Sequence, residues 1–205
     1  MEDELLQKGL KQLKIIPSAE IVEKFSIYLQ ELKKWNRAYS LTSLKKDDDI
    51  IIKHFFDSLL YLEAVPEGIF SICDIGSGAG FPCLPIAIVR PELTVCLIEP
   101  SRKKCAFLRH IKNTLKLQNV EVLESRVEDV KDRLFDIGMT RALFSVNELI
   151  KKAGHVIKKG GVFILNKGPM FEKEIKELPD GIQIEVIAIP LPQTSIKRNL
   201  IKTII

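Results

Sequence analysis

The chain has 205 residues, of which 46% are hydrophobic and 28% charged, with a formal net charge of +4. That is enough for one good-sized domain with a short extension, not two independent cores, and the composition excludes a disordered or fibrous chain. The mild basic excess suits a polyanionic partner without requiring one.

The opening Met1-Glu2-Asp3-Glu4 is acidic and lacks the basic n-region of a signal peptide. No apolar run approaches the ~20 residues of a membrane span. A cytoplasmic chain with no membrane partner is therefore expected. The first third reads as helical. From Ser18, Ile21, Val22, Phe25, Tyr28, Leu29, Leu32 and Trp35 recur at spacings of three and four, which places them on one helix face with Ser18 as N-cap. Trp35 completes this stripe and reads as core. A second helix starts at Asp47-Asp48-Asp49, where acids suit the positive end of the helix dipole, and runs through Leu60 to a stop at Pro66 and Gly68. In it His54 and Asp57 lie one turn apart, in reach of each other as a local polar pair bracing the helix against the rest of the fold.

From Phe70 the rhythm changes. Strands are expected at Phe70 to Ile75, Leu93 to Ile98, Val120 to Leu123, Phe135 to Thr140 and Val162 to Asn166, with helices at Ser101 to Leu117 and about Val146 to Lys158. Strands alternating with helices imply a parallel sheet covered on both faces. Ile182 to Ile189 and Asn199 to Ile204 alternate with no helix between them, an antiparallel hairpin closing the sheet. The expected class is α/β, with a helical extension (1–66) packed on a core (67–205) as one folding unit. Cys73, Cys83, Cys96 and Cys105 include no CxxC pair, and the three histidines show no zinc-ligand spacing, so reduced thiols and no metal are expected.

The sharpest motif is Asp74-Ile75-Gly76-Ser77-Gly78-Ala79-Gly80-Phe81-Pro82, after a buried strand and before a helix that Pro82 and Pro85 are placed to open. Such glycines let the backbone turn tightly and approach a ligand, and open parallel sheets bind ligands outside the carboxyl ends of their strands. The second strand ends in Glu99, a carboxylate able to accept both ribose hydroxyls of an adenosine. A dinucleotide site expects GxGxxG. Here the spacing is GxGxG, and Asp74 beside the turn would repel a pyrophosphate but suit the ammonium and sulfonium of S-adenosylmethionine (SAM). Ser125-Arg126-Val127-Glu128, after the third strand, is placed to cover the adenine and read its amino edge. These features together resemble the class I SAM-dependent methyltransferases.

After the fourth strand stands Thr140-Arg141-Ala142, without the Pro-Pro platform of base-amine methyltransferases. Pro82-Cys83 lies after the cofactor turn rather than after the fourth strand, so Cys83 reads as packing. Read in order, Trp35-Asn36, Leu41-Thr42-Ser43, Lys53-His54-Phe55-Phe56-Asp57-Ser58, the glycine turn, Arg102-Lys103-Lys104, Ser125-Arg126-Val127-Glu128, Thr140-Arg141-Ala142, Asn166-Lys167-Gly168 and Arg198-Asn199-Leu200 resemble the RsmG family (glucose-inhibited division protein B) over nearly the whole chain. Cys83-Leu84, Glu99 and Asn199 depart from the family's more usual Gly-Ile, Asp and His.

The resemblance implies methylation of N7 of one guanine near the decoding centre of 16S ribosomal RNA, in the small ribosomal subunit, with cofactor contacts at Gly76, Phe81, Val127, Glu128 and Arg141. The reading of the residues adds Asp74, Gly78, Gly80 and Glu99. Arg126, Lys167 and Arg198 are candidate RNA contacts, with structural ion pairing as the competing role for the last two. The basic helix from Arg102 to Lys116 is either a phosphate-facing or a solvated face. A monomer is expected, and no catalytic acid or base. A class I methyltransferase of a small molecule or protein, an NAD-dependent oxidoreductase, and a binding protein that has lost turnover are the rival readings.

Overall fold

The computed structural model describes residues 2–141, 143–168, 171–176, 178 and 181–205; Met1 and Ala142 of the motifs above lie outside the described residues. Helix α1 (Glu2–Gln12) precedes α2 (Ala19–Tyr39), whose Ser18 N-cap accepts a hydrogen bond from the Ile21 N–H at 3.2 Å. A third helical segment, α3 (47–64), starts as an α-turn, widens into a π-helical stretch over Ile51–Phe56, and tightens into a 3₁₀ turn at Leu60–Ala64. The sequence reading did not delimit α1. It packs closely enough that a Cβ at Gly9 would overlap the Phe56 ring, 2.0 Å from its nearest atom.

The strands are β1 (Ser71–Ile75), β2 (Thr94–Ile98), β3 (Val120–Leu123), β4 (Phe135–Arg141), β5 (Ile157–Lys167), β6 (Ile184–Pro190) and β7 (Lys197–Ile204). They form one sheet in the order β3-β2-β1-β4-β5-β7-β6. The five strands β1 to β5 are parallel, and β7 lies antiparallel between β5 and β6. The expected parallel sheet and terminal hairpin are both present. Between the strands run α4 (Cys83–Val89), α5 (Arg102–Thr114) and α6 (Val146–Ala153), and α7 (Phe171–Lys176) follows β5.

One boundary differs from the sequence reading. The helix expected to reach Lys158 ends at Ala153, and residues 157–161 already belong to β5. The pairing passes from Phe135↔Ile157 to Ile137↔Val162, so three extra residues of β5 are accommodated opposite β4. Gly160, at φ +80°, and Gly161, where a Cβ would stand 2.7 Å from the Asp136 carbonyl, make that detour possible. Helical periodicity cannot signal such a bulge.

Side chains alternate across the sheet. Ile72, Val95 and Leu97 join the apolar cluster that also holds Leu6, Leu10, Phe25, Leu32 and Phe55 of the N-terminal helices. Cys73, Cys96 and Ile98 point into a second cluster with Val146 and Leu149 of α6. The period-two pattern of β1 and β2 thus buries both faces. All four cysteines are buried and unpaired with one another.

Candidate functional site

The turn after β1 carries three glycines in the left-handed region, Gly76 at φ +74°, Gly78 at +59° and Gly80 at +97°. A side chain at Gly76 or Gly80 would also collide: a Cβ would lie 2.3 Å from Leu143 Cδ2 and 2.3 Å from Leu84 Cδ1, respectively. The turn is pinned from three sides. The Gly76 N–H donates to the Ile98 carbonyl at 2.9 Å. Glu99, buried at the end of β2, accepts the Gly78 N–H on Oε2 and the Ser101 N–H on Oε1, each at 2.9 Å. Tyr28 of α2 donates its hydroxyl to the Ala79 carbonyl at 2.5 Å.

Asp74 is fully buried beneath this turn. Its Oδ2 accepts the Cys83 N–H at 3.1 Å, while Oδ1 is buried without a partner. Burial pushes its carboxyl up to about 7, against the opposing pull of the Cys83 N–H and Arg141. A buried carboxylate oxygen with no donor is unusual and points to a missing positive group or donor.

Beside the turn, a cavity of about 270 Å³ is lined by Gly76, Ile98, Ser125, Arg126, Val127 and Glu128, with Leu143 and Phe144 across from them. The sequence-expected residues Gly76, Val127, Glu128 and Arg126 therefore share one wall system, flanked by Gly78 and Glu99. Glu128 is exposed and pairs with Lys152 at 2.6 Å. Phe81 and Gly80 lie deeper. Phe81 stacks between Tyr28, centroid distance 5.5 Å, and His54, 4.5 Å, and the Arg141 guanidinium sits 5.2 Å from its ring centre. Ile98, Leu143 and Phe144 were not anticipated. Their apolar type carries no local signal of a ligand wall.

His54 and Asp57 do not form the expected pair with each other. The π-helical stretch turns them apart: His54 Nε2 lies 2.7 Å from Thr42 Oγ1, whereas Asp57 accepts Arg198 Nε at 2.5 Å and Asn166 Nδ2 at 3.2 Å. The bracing role stays with Asp57, which ties α3 to β5 and β7. Burial, helped by Arg141, pushes the His54 imidazole down to about 3, so it is neutral. Of the candidate RNA contacts, Arg198 is thus engaged with Asp57, and Lys167 reaches the Phe144 carbonyl at 2.5 Å and Glu174 at 2.9 Å. Arg126 is exposed on the cavity rim. Among the described residues, no group of three or more His, Cys, Asp or Glu side chains is arranged to hold a metal, and no helix is long and apolar enough to cross a membrane.

Comparison with known proteins resolves the family. The model of the GidB family, rRNA small subunit methyltransferase G, matches residues 21–201. The chain belongs to this family. A small subunit methyltransferase G of Clostridium beijerinckii is 37% identical over 97% of this chain and 88% of the relative. One from Neisseria meningitidis serogroup C is 33% identical over 97% and 96%. The GidB fold is shared more widely. A methyltransferase from Pyrococcus furiosus superposes with TM-score 0.63 at 13% identity, over 89% of this chain and 98% of its own. Coclaurine N-methyltransferase bound to N-methylheliamine and SAH does so with 0.57 at 15% identity, over 92% and 72%. The sheet is that of the class I SAM-dependent methyltransferases.

Proposed function

We propose that this chain transfers the methyl group of SAM to N7 of one guanine in 16S ribosomal RNA, acting in the cytoplasm as a monomer on the small ribosomal subunit. Membership of the small subunit methyltransferase G family supports the RNA substrate, and the resemblance of the ordered motifs supports the guanine N7 target. The observation that carries the cofactor reading is the pair of carboxylates around the glycine turn: Glu99 gripping Gly78, and Asp74 with a buried oxygen left over.

The residues present fit SAM. Its ammonium and sulfonium match the unpartnered Oδ1 of Asp74, whose ionised form a cation would favour. The half-buried Gly76 and Gly78 allow backbone approach, with Gly80 and Phe81 shaping the turn from beneath. Glu99 is placed for the ribose, Val127 and Glu128 for the adenine, and Arg141 for the region beyond Phe81. Arg126, on the cavity rim, is the RNA contact of first choice. Lys167 and Arg198 act on RNA only by exchanging the partners described above.

When bound, SAM supplies an electrophilic methyl group on a sulfonium. Guanine N7 offers a lone pair and carries no proton, so this chain has no proton to remove. His54, neutral and with Nε2 held by Thr42, is consistent with an active site that needs no general base. The protein's task is to hold N7 close to the methyl and in line with the sulfur; such orientation supplies about 7–11 kcal/mol in favourable intramolecular systems.

The test is labelled SAM with small subunits from a strain lacking the homologous gene. Label should enter 16S RNA, and chemical cleavage at 7-methylguanosine should map it to one position. Label in free metabolites or protein, or on another base, would sink the reading.

Asp74 gives the site a pH signature. In the folded protein it holds its proton up to about pH 7, whereas the unfolded chain releases it near the ordinary 3.8. Between these values the folded state binds the extra proton. Stability of the ligand-free protein from this group is therefore greatest at the acid end and is lost as pH rises through 7. A cationic cofactor favours the ionised form, so the SAM dissociation constant should fall as pH rises from about 6 to about 8. In Asp74→Asn both dependences should flatten. Parallel pH profiles for the two proteins, measured by calorimetry, would contradict this.

A further inference from the structure

The N-terminal helices bring one surface to the same end of the sheet as the cofactor turn. Asn36 of α2 clamps the following loop: its Nδ2 donates to the Thr42 carbonyl at 2.9 Å and its Oδ1 accepts the Thr42 N–H at 2.8 Å. Thr42 Oγ1 in turn accepts the Leu44 N–H at 3.1 Å and meets His54 Nε2, whose ring stacks on Phe81. The loop 40–46 is thereby fixed, through two side chains, to the segment that leaves β1. Between the loop and the end of α2 lies a cavity of about 320 Å³ lined by Lys33, Asn36, Arg37, Leu44 and Lys45.

The charges of this face are unbalanced. Residues 33–49 contain five cations and three acids. Lys33 pairs with Asp47 at 2.6 Å and Lys34 with Glu31 at 3.5 Å. Asp49 is taken by Lys53 at 2.6 Å, which leaves Asp48 as the remaining acid. Arg37, Lys45 and Lys46 are exposed and have no carboxylate within salt-bridge distance among the described residues. At the same end of α2, on the side that carries Trp35, Tyr39 is 45% exposed and rests on the Trp35 ring, centroid distance 5.4 Å. Exposed cations and an aromatic ring held in place by a second ring, gathered at one helix end, are the elements with which proteins grip unpaired RNA, phosphates by charge and a base by stacking.

We propose that the end of α2 and the 40–46 loop form a second docking face for the substrate RNA, with Arg37, Lys45 and Lys46 on phosphates and Tyr39 stacked on an unpaired base. The assignment rests on the RNA-methyltransferase reading above. It gives the helical extension a function: the RNA is held on one side of the crevice by this face and on the other by the rim near Arg126, which orients a single base toward the cofactor. A clamped loop suits the purpose, because its backbone has little further freedom to lose when RNA arrives.

The test compares the full chain with two triple variants. Arg37→Ala/Lys45→Ala/Lys46→Ala removes the face. Lys11→Ala/Lys131→Ala/Lys159→Ala removes equal charge from exposed positions away from it, Lys131 and Lys159 lying near the amino ends of β4 and β5. Binding to protein-free 16S RNA is measured at several salt concentrations. The first variant should bind about tenfold or more weakly near 0.15 M salt, with a log–log salt slope smaller by about 2 to 3, while the second stays close to the parent. Tyr39→Ala should weaken binding by about fivefold or more, and Tyr39→Phe should restore it. The SAM dissociation constant and melting temperature should not move in any of them.

Equal losses from both triple variants, or none from the first, would overturn the docking face. So would a loss seen with assembled subunits but not with free RNA, which would assign the surface to a ribosomal protein. If the parent itself transfers no label to the RNA, it is the functional reading that fails. Normal labelling by the parent alongside an unaffected first variant removes the docking face alone.

Discussion

Glu99→Ala is expected to raise the SAM dissociation constant by about a hundredfold or more, an effect of about 2.7 kcal/mol or larger. Two terms add. The buried carboxylate accepts the backbone N–H groups of Gly78 and Ser101, so its removal strands two donors and loosens the turn even before ligand arrives. It is also the acceptor proposed for the ribose, and hydrogen bonds to a charged group are worth about 1.5–3 kcal/mol. Glu99→Gln, which keeps one acceptor oxygen, should fall between the two. Cys83→Ala is the control. Its thiol packs 3.7 Å from the Met139 sulfur, and the larger part of its contribution to Asp74 is made by the backbone N–H, which alanine retains. Its dissociation constant should stay within about threefold of the parent, a difference below about 1 kcal/mol. Similar constants for Glu99→Ala and Cys83→Ala by titration calorimetry would contradict the cofactor assignment.

Gly80→Ala should lower the melting temperature by about 6–12 °C, as expected for about 3 kcal/mol in a chain of this size. The backbone at φ +97° is one that L-residues rarely adopt, and the new Cβ would stand 2.3 Å from Leu84 Cδ1 and 2.7 Å from the Tyr28 hydroxyl. Both neighbours are fully buried, so neither has room to retreat. Gly68→Ala separates conformation from crowding. Gly68 also has positive φ, +75°, but nothing lies within 4 Å of its prospective Cβ. Backbone strain alone, about 1 kcal/mol, should lower its melting temperature by about 2–4 °C. Equal shifts for the two alanines would mean that the Tyr28–Leu84 packing is not what holds the turn.

Much of the fold was legible because its signals are local. Val120–Leu123 is bounded as expected, and the apolar stripe of α2 and its Ser18 cap lie where the spacing put them. The glycine turn and Glu99 were legible because few backbone geometries demand those residues in that order. Long-range or cumulative features were not. The π-helical stretch in α3 leaves Ile50 to Leu60 looking like an ordinary amphipathic helix, yet it rotates His54 away from Asp57. The detour in β5 depends on how Gly161 meets Asp136 across the sheet. Arg198 and Asp57 are 141 residues apart, so no spacing rule foretells their ion pair. Tyr28 read as a core residue of α2; that its hydroxyl ends on the carbonyl of Ala79 is a property of the assembled molecule.

That Tyr28 hydrogen bond bears on how this architecture can be dissected. A fragment beginning at residue 67 would retain the three glycines of the turn and both carboxylates, yet lack the clasp that closes over Ala79 and the Tyr28 and His54 rings that stack on Phe81. Grafting the glycine motif into another scaffold would meet the same difficulty. The smallest autonomous unit able to present this loop in working shape includes a helix that ends more than thirty residues before the motif starts, at Tyr39 against Asp74.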